Sequence, residues 1–272
     1  MQLLDETRDF DGLDTYVPAL SSIVWQPAEQ TLLQRFNSSF RTIPADSADL
    51  IRKAYQIRYQ VYCVEHPFED RMMHPDGLEK DEFDRHAAQS LIVDRFSDEA
   101  VGTVRLVLPR PEAPQASFAI QHLTDHPALG DVALFPPHAT AEISRFSLSK
   151  SARRSKSADG DEEMEIGRPR SGCLMRLGLM QTIVRMSVQH GITNWCAVME
   201  PKLLRLLAAM SIHFQPIGAP VDYHGLRQPC YSNVVTLLKR VRRERYAYWE
   251  LLTDGGTLWE PLLDNQLQQG CE

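Results

Sequence analysis

Two sets of side chains in this sequence have types and spacing that chemistry can use. Within Glu79-Lys-Asp-Glu-Phe-Asp-Arg-His86, the carboxylates of Glu79, Asp81 and Asp84 lie close together just before an apolar segment. Such a group can fix a cationic amine or pair with guanidinium groups. Taken alone, the run reads first as a solvated acidic turn. The second set is three arginines in apolar surroundings: Arg105 in Gly-Thr-Val-Arg-Leu-Val-Leu, Arg145 in Glu-Ile-Ser-Arg-Phe-Ser-Leu, and Arg58 in Ile-Arg-Tyr-Gln-Val-Tyr. A charge inside a buried strand is costly unless paired. Three arginines and three nearby carboxylates therefore predict a buried ion network, against the simpler reading of edge residues that reach solvent.

Glu142 lies three positions before Arg145. On a regular strand the two point to opposite faces, so either they serve different layers or a bulge re-aims one of them. Glu142 is the expected general base: an amine that attacks a carbonyl must lose a proton, and a carboxylate of raised pKa can take it. The competing reading is that Glu142 merely holds an arginine. Arg168-Pro-Arg170-Ser-Gly172 precedes a long apolar helix, and free backbone N–H groups there can bind a donor phosphate. The single glycine fits a lone phosphopantetheine phosphate better than CoA. The basic run Lys239–Arg245, or a second from Lys150 to Lys156, could dock an acidic carrier protein, against the simpler reading of Lys239–Arg245 as a solvated helix face.

Other signals carry less. His122 and His126 have helical spacing but no third ligand, so no metal site is expected. No nucleophile-elbow or P-loop motif is present. Cys173 at a helix start is a minor nucleophile candidate, and Tyr223–Pro229 is a polar turn near a pocket, with His224 within it.

The elements that must position these residues follow from periodicity. The first 39 residues read as an arm, and Phe40–Ile43 as a strand. A helix is expected over residues 47–64, capped by Asp46 or Ser47. A hairpin is expected from Ser90–Asp94 and Val101–Leu108, then an irregular stretch over residues 115–139 and a strand at Ala141–Ser149. A mobile loop is expected over 151–166, then a helix over Leu174–His190 closed by Gly191. Asn194–Met199 reads as a buried strand. A helix opens at Pro201 with Leu203, Leu204, Leu206 and Leu207 as its apolar face, Phe214–Gly218 is a short strand, and Asn233–Arg245 is a helix. This is an α/β arrangement on a mixed sheet flanked by helices, with one domain over 40–255 and a tail over 256–272.

The 272 residues are 43% hydrophobic, enough for one substantial core. The net charge of -7 argues against a nucleic-acid binder. No apolar run is long enough for a membrane span, and the start lacks a signal-peptide pattern. Five cysteines without C-x-x-C spacing fit reduced thiols in the cytoplasm.

Read in order, Arg58-Tyr-Gln-Val-Tyr62, Glu79-x-Asp81-x-x-Asp84, Gly102-x-Val-Arg105-Leu and Glu142-x-Ser144-Arg145-Phe146 resemble the acyl-homoserine-lactone (autoinducer) synthases. The tryptophan usual in that family between the first arginine and the carboxylates is absent, with Phe68 the nearest aromatic. The C-terminal half, with Ala197-Val-Met-Glu-Pro-Lys-Leu-Leu-Arg205 and Pro220-Val-Asp-Tyr-His-Gly-Leu-Arg-Gln-Pro229, looks closer to the acyltransferases of the PEP-CTERM/exosortase system, which are related to N-acyl amino acid synthases. The resemblance implies a GNAT-like acyl-CoA N-acyltransferase fold. It also implies fatty acyl transfer from an acyl carrier protein or CoA thioester to the amine of a small molecule, an amino acid before S-adenosylmethionine. No tightly bound cofactor is implied. Glu142, Arg145 and Arg105 are then the catalytic candidates. Arg58, Tyr62, Glu79, Asp81, Asp84, Ser144 and Phe146 are expected at the substrate, and Arg168, Arg170 and Gly172 at the donor. A non-catalytic module that binds acyl groups or carrier protein is the alternative from another class.

Overall fold

The structure, a computed structural model, describes residues 30–66, 68–150, 171–223 and 225–269. The expected loop 151–166, Arg168, Arg170, His224 and most of the N-terminal arm lie outside these residues. The elements below all belong to the unit Thr31–Glu272.

The described part of the expected arm packs on the domain as a helix. Thr31 caps helix α1 (Leu32–Ser39) through a reciprocal capping box with Gln34, and α1 buries Leu32 and Phe36. Strand β1 (Phe40–Pro44) follows. Ser47, one of the two expected caps, starts α2 (Ala48–Tyr59) by accepting from the Leu50 N–H. The helix then widens into a π-helical turn, Gln60–Glu65, a distortion frequent at functional sites. The hairpin forms as β2 (Ala87–Asp94) and β3 (Ala100–Val107). A short α3 (Ile120–Leu123) interrupts the irregular stretch before β4 (Thr140–Leu148).

After β4 come α4 (Ser171–Gln189), β5 (Asn194–Met199) and α5 (Pro201–Ala209), with proline at the first helical turn. Of the expected apolar face of α5, Leu207 is buried and Leu203 and Leu204 pack partly buried against the main core, whereas Leu206 is exposed. Two short strands, β6 (Gln215–Pro216) and β7 (Val221–Asp222), precede β8 (Leu226–Asn233). The expected turn Tyr223–Pro229 gives its last four residues to β8. This strand is polar, and Pro229 within it argues against a strand, yet Pro229 pairs with Val198 of β5 and accepts from the Ile217 N–H at 2.8 Å. Asn233 caps α6 (Val234–Glu244), which leads to α7 (Tyr246–Leu252) and α8 (Trp259–Gln269). The expected tail thus carries α8, and its Trp259 and Leu262 join the main core.

The sheet order is β1-β2-β3-β4-β5-β8-β6, with β7 paired to β8. Every pairing is antiparallel except β4–β5. The main core lies between one sheet face and α4, where Phe36, Ile92, Leu106, Ile143 and Trp195 meet the inner side of the helix. On the other face, Ala54, Ile57 and Val61 of α2 and its π-helical turn pack on Leu91 and Val93. Gly178 lets α4 approach this core: an added Cβ would stand 2.6 Å from Phe36 Cζ and 2.9 Å from Ile92 Cδ1. Gly178→Ala should therefore lower stability by about 1–3 kcal/mol through overpacking, measured as a drop in urea midpoint. Among the described residues no helix is long and apolar enough to cross a membrane.

Candidate active site

The parallel pairing of β4 with β5 covers only Thr140–Ile143 against Asn194–Ala197. Beyond Ile143 the strands part. A cavity of about 450 Å³ opens in the gap, lined on β4 by Glu142 through Phe146 and on β5 by Val198 and Met199. Glu142 and Ile143 point to opposite faces of the sheet, so the cavity runs through the split from one layer to the other.

The bulge that the Glu142–Arg145 spacing allowed is present. Thr103 faces Ser147 and Arg105 faces Ser144, so Arg145 and Phe146 together stand against Val104 alone. Arg145 takes φ of 51°, a left-handed conformation that a non-glycine residue holds at a cost of about 1–3 kcal/mol. The extra residue turns Arg145 toward the side that carries Arg105, Ser144 and Glu142.

The three arginines and three carboxylates meet there. Arg58 donates through Nε to Glu79 Oε2 at 2.5 Å and through Nη1 and Nη2 to both oxygens of Asp84 at 2.6 and 3.1 Å. Arg105 forks onto Asp81 at 2.5 and 2.9 Å and gives its Nε–H to Ser144 Oγ at 2.9 Å. Arg145 bridges Glu79 at 2.9 Å and Asp81 at 3.0 Å. Asp81 and Asp84 are held by a local capping box at the start of a 3₁₀ turn, Glu82–His86. The Tyr62 ring, aimed by the π-helical turn, lies under the Arg145 guanidinium at 5.3 Å.

The network has a front and a back. Asp81, Arg105, Arg145, Tyr62, Ser144 and Phe146 line the cavity, whereas Arg58, Glu79 and Asp84 do not. Arg58 is fully buried and Glu79 is 1% exposed. The latter three, expected at the substrate, form the layer behind it. Burial alone would raise the Glu79 carboxyl, but the Arg145 and Arg58 charges reverse this and hold it at about 2. Asp81 is likewise lowered, with Arg105 outweighing burial. The sign follows: the stability contributed by Glu79 is complete above its unfolded value of 4.5 and is lost as pH falls toward 2. Thermal unfolding followed from about pH 5 to about pH 2 should show a falling Tm, with a shallower fall in Glu79→Gln.

Glu142 behaves oppositely. It is 3% exposed and faces a small apolar cluster that includes Phe118, Ile120 and Cys196. Its Oε2 accepts the Ile120 N–H at 2.8 Å. Burial pushes its pKa up to about 7, although the Ile120 N–H and the Arg105 and Arg145 charges pull it down. A carboxyl poised there can exchange a proton near neutrality.

Some expected residues stand elsewhere. Gly172 lies in the first turn of α4, where its carbonyl accepts from Arg176 Nη1 at 2.9 Å. Arg176, which sequence reading missed, lines the cavity in its place. Cys173 is no activated thiol: burial raises its pKa, and its Sγ meets Met210 Sδ at 3.7 Å. The Lys239–Arg245 run is away from the cavity lining, with Arg240 paired to Glu244 at 2.9 Å and Arg242 4.7 Å from the Trp249 ring. Of the Lys150–Lys156 run, Lys150 alone is described, and its backbone N–H donates to Glu65 at 2.9 Å. The polar turn before Pro229 does reach the cavity, through Tyr223 and Arg227.

Known proteins share this architecture. Residues 57–160 match the Acetyltransferase (GNAT) domain. The mixed sheet flanked by helices is the GNAT fold. Among solved structures, the CoA-dependent acyl-homoserine lactone synthase BjaI, with SAM and isopentyl-CoA, aligns with a TM-score of 0.51 at 17% identity, covering 84% of this chain and 99% of that one. TofI in a ternary complex with an inhibitor and MTA gives 0.50 at 18% identity, covering 76% and 99%. FeeM, an N-acyl amino acid synthase from uncultured soil microbes, gives 0.48 at 12%, covering 76% and 96%. At such identities the likeness is one of fold. Comparison with curated proteins finds no match. The GNAT match runs from the end of α2 past β4, and so contains every member of the arginine–carboxylate network.

Proposed function

We propose that this protein is an N-acyltransferase that moves a fatty acyl group from a carrier thioester, on acyl carrier protein or CoA, to the amine of a small molecule, an amino acid. The observation that carries this reading is the position of the buried Glu142 carboxyl, which lines the cavity at the point where β4 leaves β5. The amine attacks the thioester carbonyl and gives a proton to Glu142. Backbone N–H groups of Ser144–Leu148 that turn away from β3, where β4 has no pairing with β5, receive the developing oxyanion. The C–N bond forms, the C–S bond breaks, and the carrier leaves as a thiolate that takes up the proton held by Glu142. Apolar lining from Leu148, Met199, Leu203 and Leu206 suits the acyl tail.

An amino acid acceptor is supported by the C-terminal motifs that resemble the exosortase-associated acyltransferases, and by charge. The cavity lining holds five cationic side chains, Arg105, Arg145, Arg176, Lys202 and Arg227, against four acids, Glu69, Asp81, Glu142 and Glu200. That balance does not favour a cationic sulfonium. The reading is tested by incubating the purified protein with acyl thioesters of carrier protein and CoA and a panel of amines. Mass spectrometry should find an N-acyl amino acid. An acyl-homoserine lactone from S-adenosylmethionine would instead make the chain an autoinducer synthase, and thioester binding without any amide would make it a binding module.

A further inference from the structure

The cavity's cations fall into two kinds. Arg105 and Arg145 are neutralised by Asp81 and Glu79. Arg227 has no carboxylate within ion-pair distance among the described residues. It is half-buried at the start of β8, its Nη1 donates to the neighbouring Leu226 carbonyl at 3.2 Å, and its guanidinium lies 5.1 Å from the Phe68 ring centroid. Phe68 in turn stacks on His66 at 5.7 Å and leans on Tyr62 at 6.3 Å, and Tyr62 lies under Arg145. This chain of contacts fixes Arg227 at the ionic end of the cavity, where Glu142 and Tyr223 also face the space. Arg176 lines the cavity from α4, and Lys202 from α5 together with Leu203 and Leu206.

A partly desolvated guanidinium with no counter-ion among the described residues, held by an aromatic face, presents its donor fork to an anion. We propose that Arg227 binds the carboxylate of the acceptor, so that the substrate class is amines bearing a free acid group. This rests on the acyl-transfer reading above and names the residue that would select its substrate. A donor phosphate is the other anion that could reach the cavity. Arg227 is assigned to the acceptor because it is tied through Phe68 to Tyr62 and Arg145, whereas Lys202 shares α5 with the apolar Leu203 and Leu206 and Arg176 lies on α4.

The test compares one amino acid with its own carboxamide, donor held fixed. Wild type should favour the acid in kcat/KM by about tenfold or more, as a charged hydrogen bond implies. Arg227→Gln should bring the ratio near one, and Arg227→Lys should keep part of it. An unchanged ratio in Arg227→Gln overturns the assignment. So does an Arg227→Gln effect that follows acyl-CoA against acyl-pantetheine rather than acid against amide. Calorimetry with the N-acyl amino acid and its carboxamide reads the same discrimination without turnover: tighter binding of the acid that vanishes in Arg227→Gln supports the proposal, and equal binding overturns it. Failure of all amide formation would remove the acyl-transfer reading, while calorimetry still decides the role of Arg227.

Discussion

Glu142→Gln is expected to lower kcat for amide formation by about 10²- to 10⁴-fold, the usual worth of a positioned general base. The amide is nearly isosteric and fits the same apolar surroundings. Its side-chain oxygen can still accept the Ile120 N–H that Glu142 Oε2 accepts at 2.8 Å. At neutral pH a carboxyl with a pKa of about 7 is close to half protonated, so the folded protein already tolerates an uncharged group here. Stability should therefore hold or rise. Because the Glu142 pKa is raised in the fold, stability from its neutral form is present below 4.5 and lost as pH rises through 7. Gln cannot ionise and escapes that loss. Steady-state kinetics with urea unfolding of both proteins checks the pair of expectations: turnover collapses and the fold does not.

The second large effect is on folding. Arg58→Leu should destabilise by about 3–5 kcal/mol, because it removes one partner from a buried ion network and leaves the others charged. Arg58 gives three of its donors to this network, two to Asp84 and one to Glu79, alongside the weaker or local contacts from Gln89, Arg105, Arg145 and the Asp81 N–H. Leucine offers no donor, and water cannot follow into a site where Glu79 is 1% exposed. Arg58→Lys should be little better, since one ammonium cannot reproduce a fork onto two carboxylates. Activity should fall with stability, as Glu79 and Asp84 hold Arg145 and the Asp81 loop that line the cavity. Denaturant unfolding of Arg58→Leu measures it, and a loss below about 1 kcal/mol would mean the network is solvated.

Much of this arrangement was legible because burying charge is expensive. Arginines inside apolar strand patterns had to find carboxylates, and Glu79, Asp81 and Asp84 were the nearest supply. The Glu142–Arg145 spacing left two geometries open, and only the register slip between Thr103 and Arg105 decides for the bulge. The division into front and back residues was not legible, since it depends on the depth of the 3₁₀ turn after Asp81. Strand β8 was hidden by Pro229 and by polar side chains whose partners lie on β5, far away in sequence. Arg176 gave no local signal, and Arg227 was legible only as a member of the polar turn Tyr223–Pro229, as their places come from where the helix and the β7–β8 hairpin meet the cavity. The C-terminal helix was missed because its burial depends on Trp259 and Leu262 reaching a core built by α4 and α7.

The most direct measurement is the pH dependence of kcat/KM for wild type and Glu142→Gln with one acceptor, so that ionisation of the amine itself cancels in the ratio. The wild-type to variant ratio should rise with pH and level off above an inflection near 7. A ratio flat across that range would contradict proton transfer to Glu142, and with it the account of the split between β4 and β5 as the place of acyl transfer.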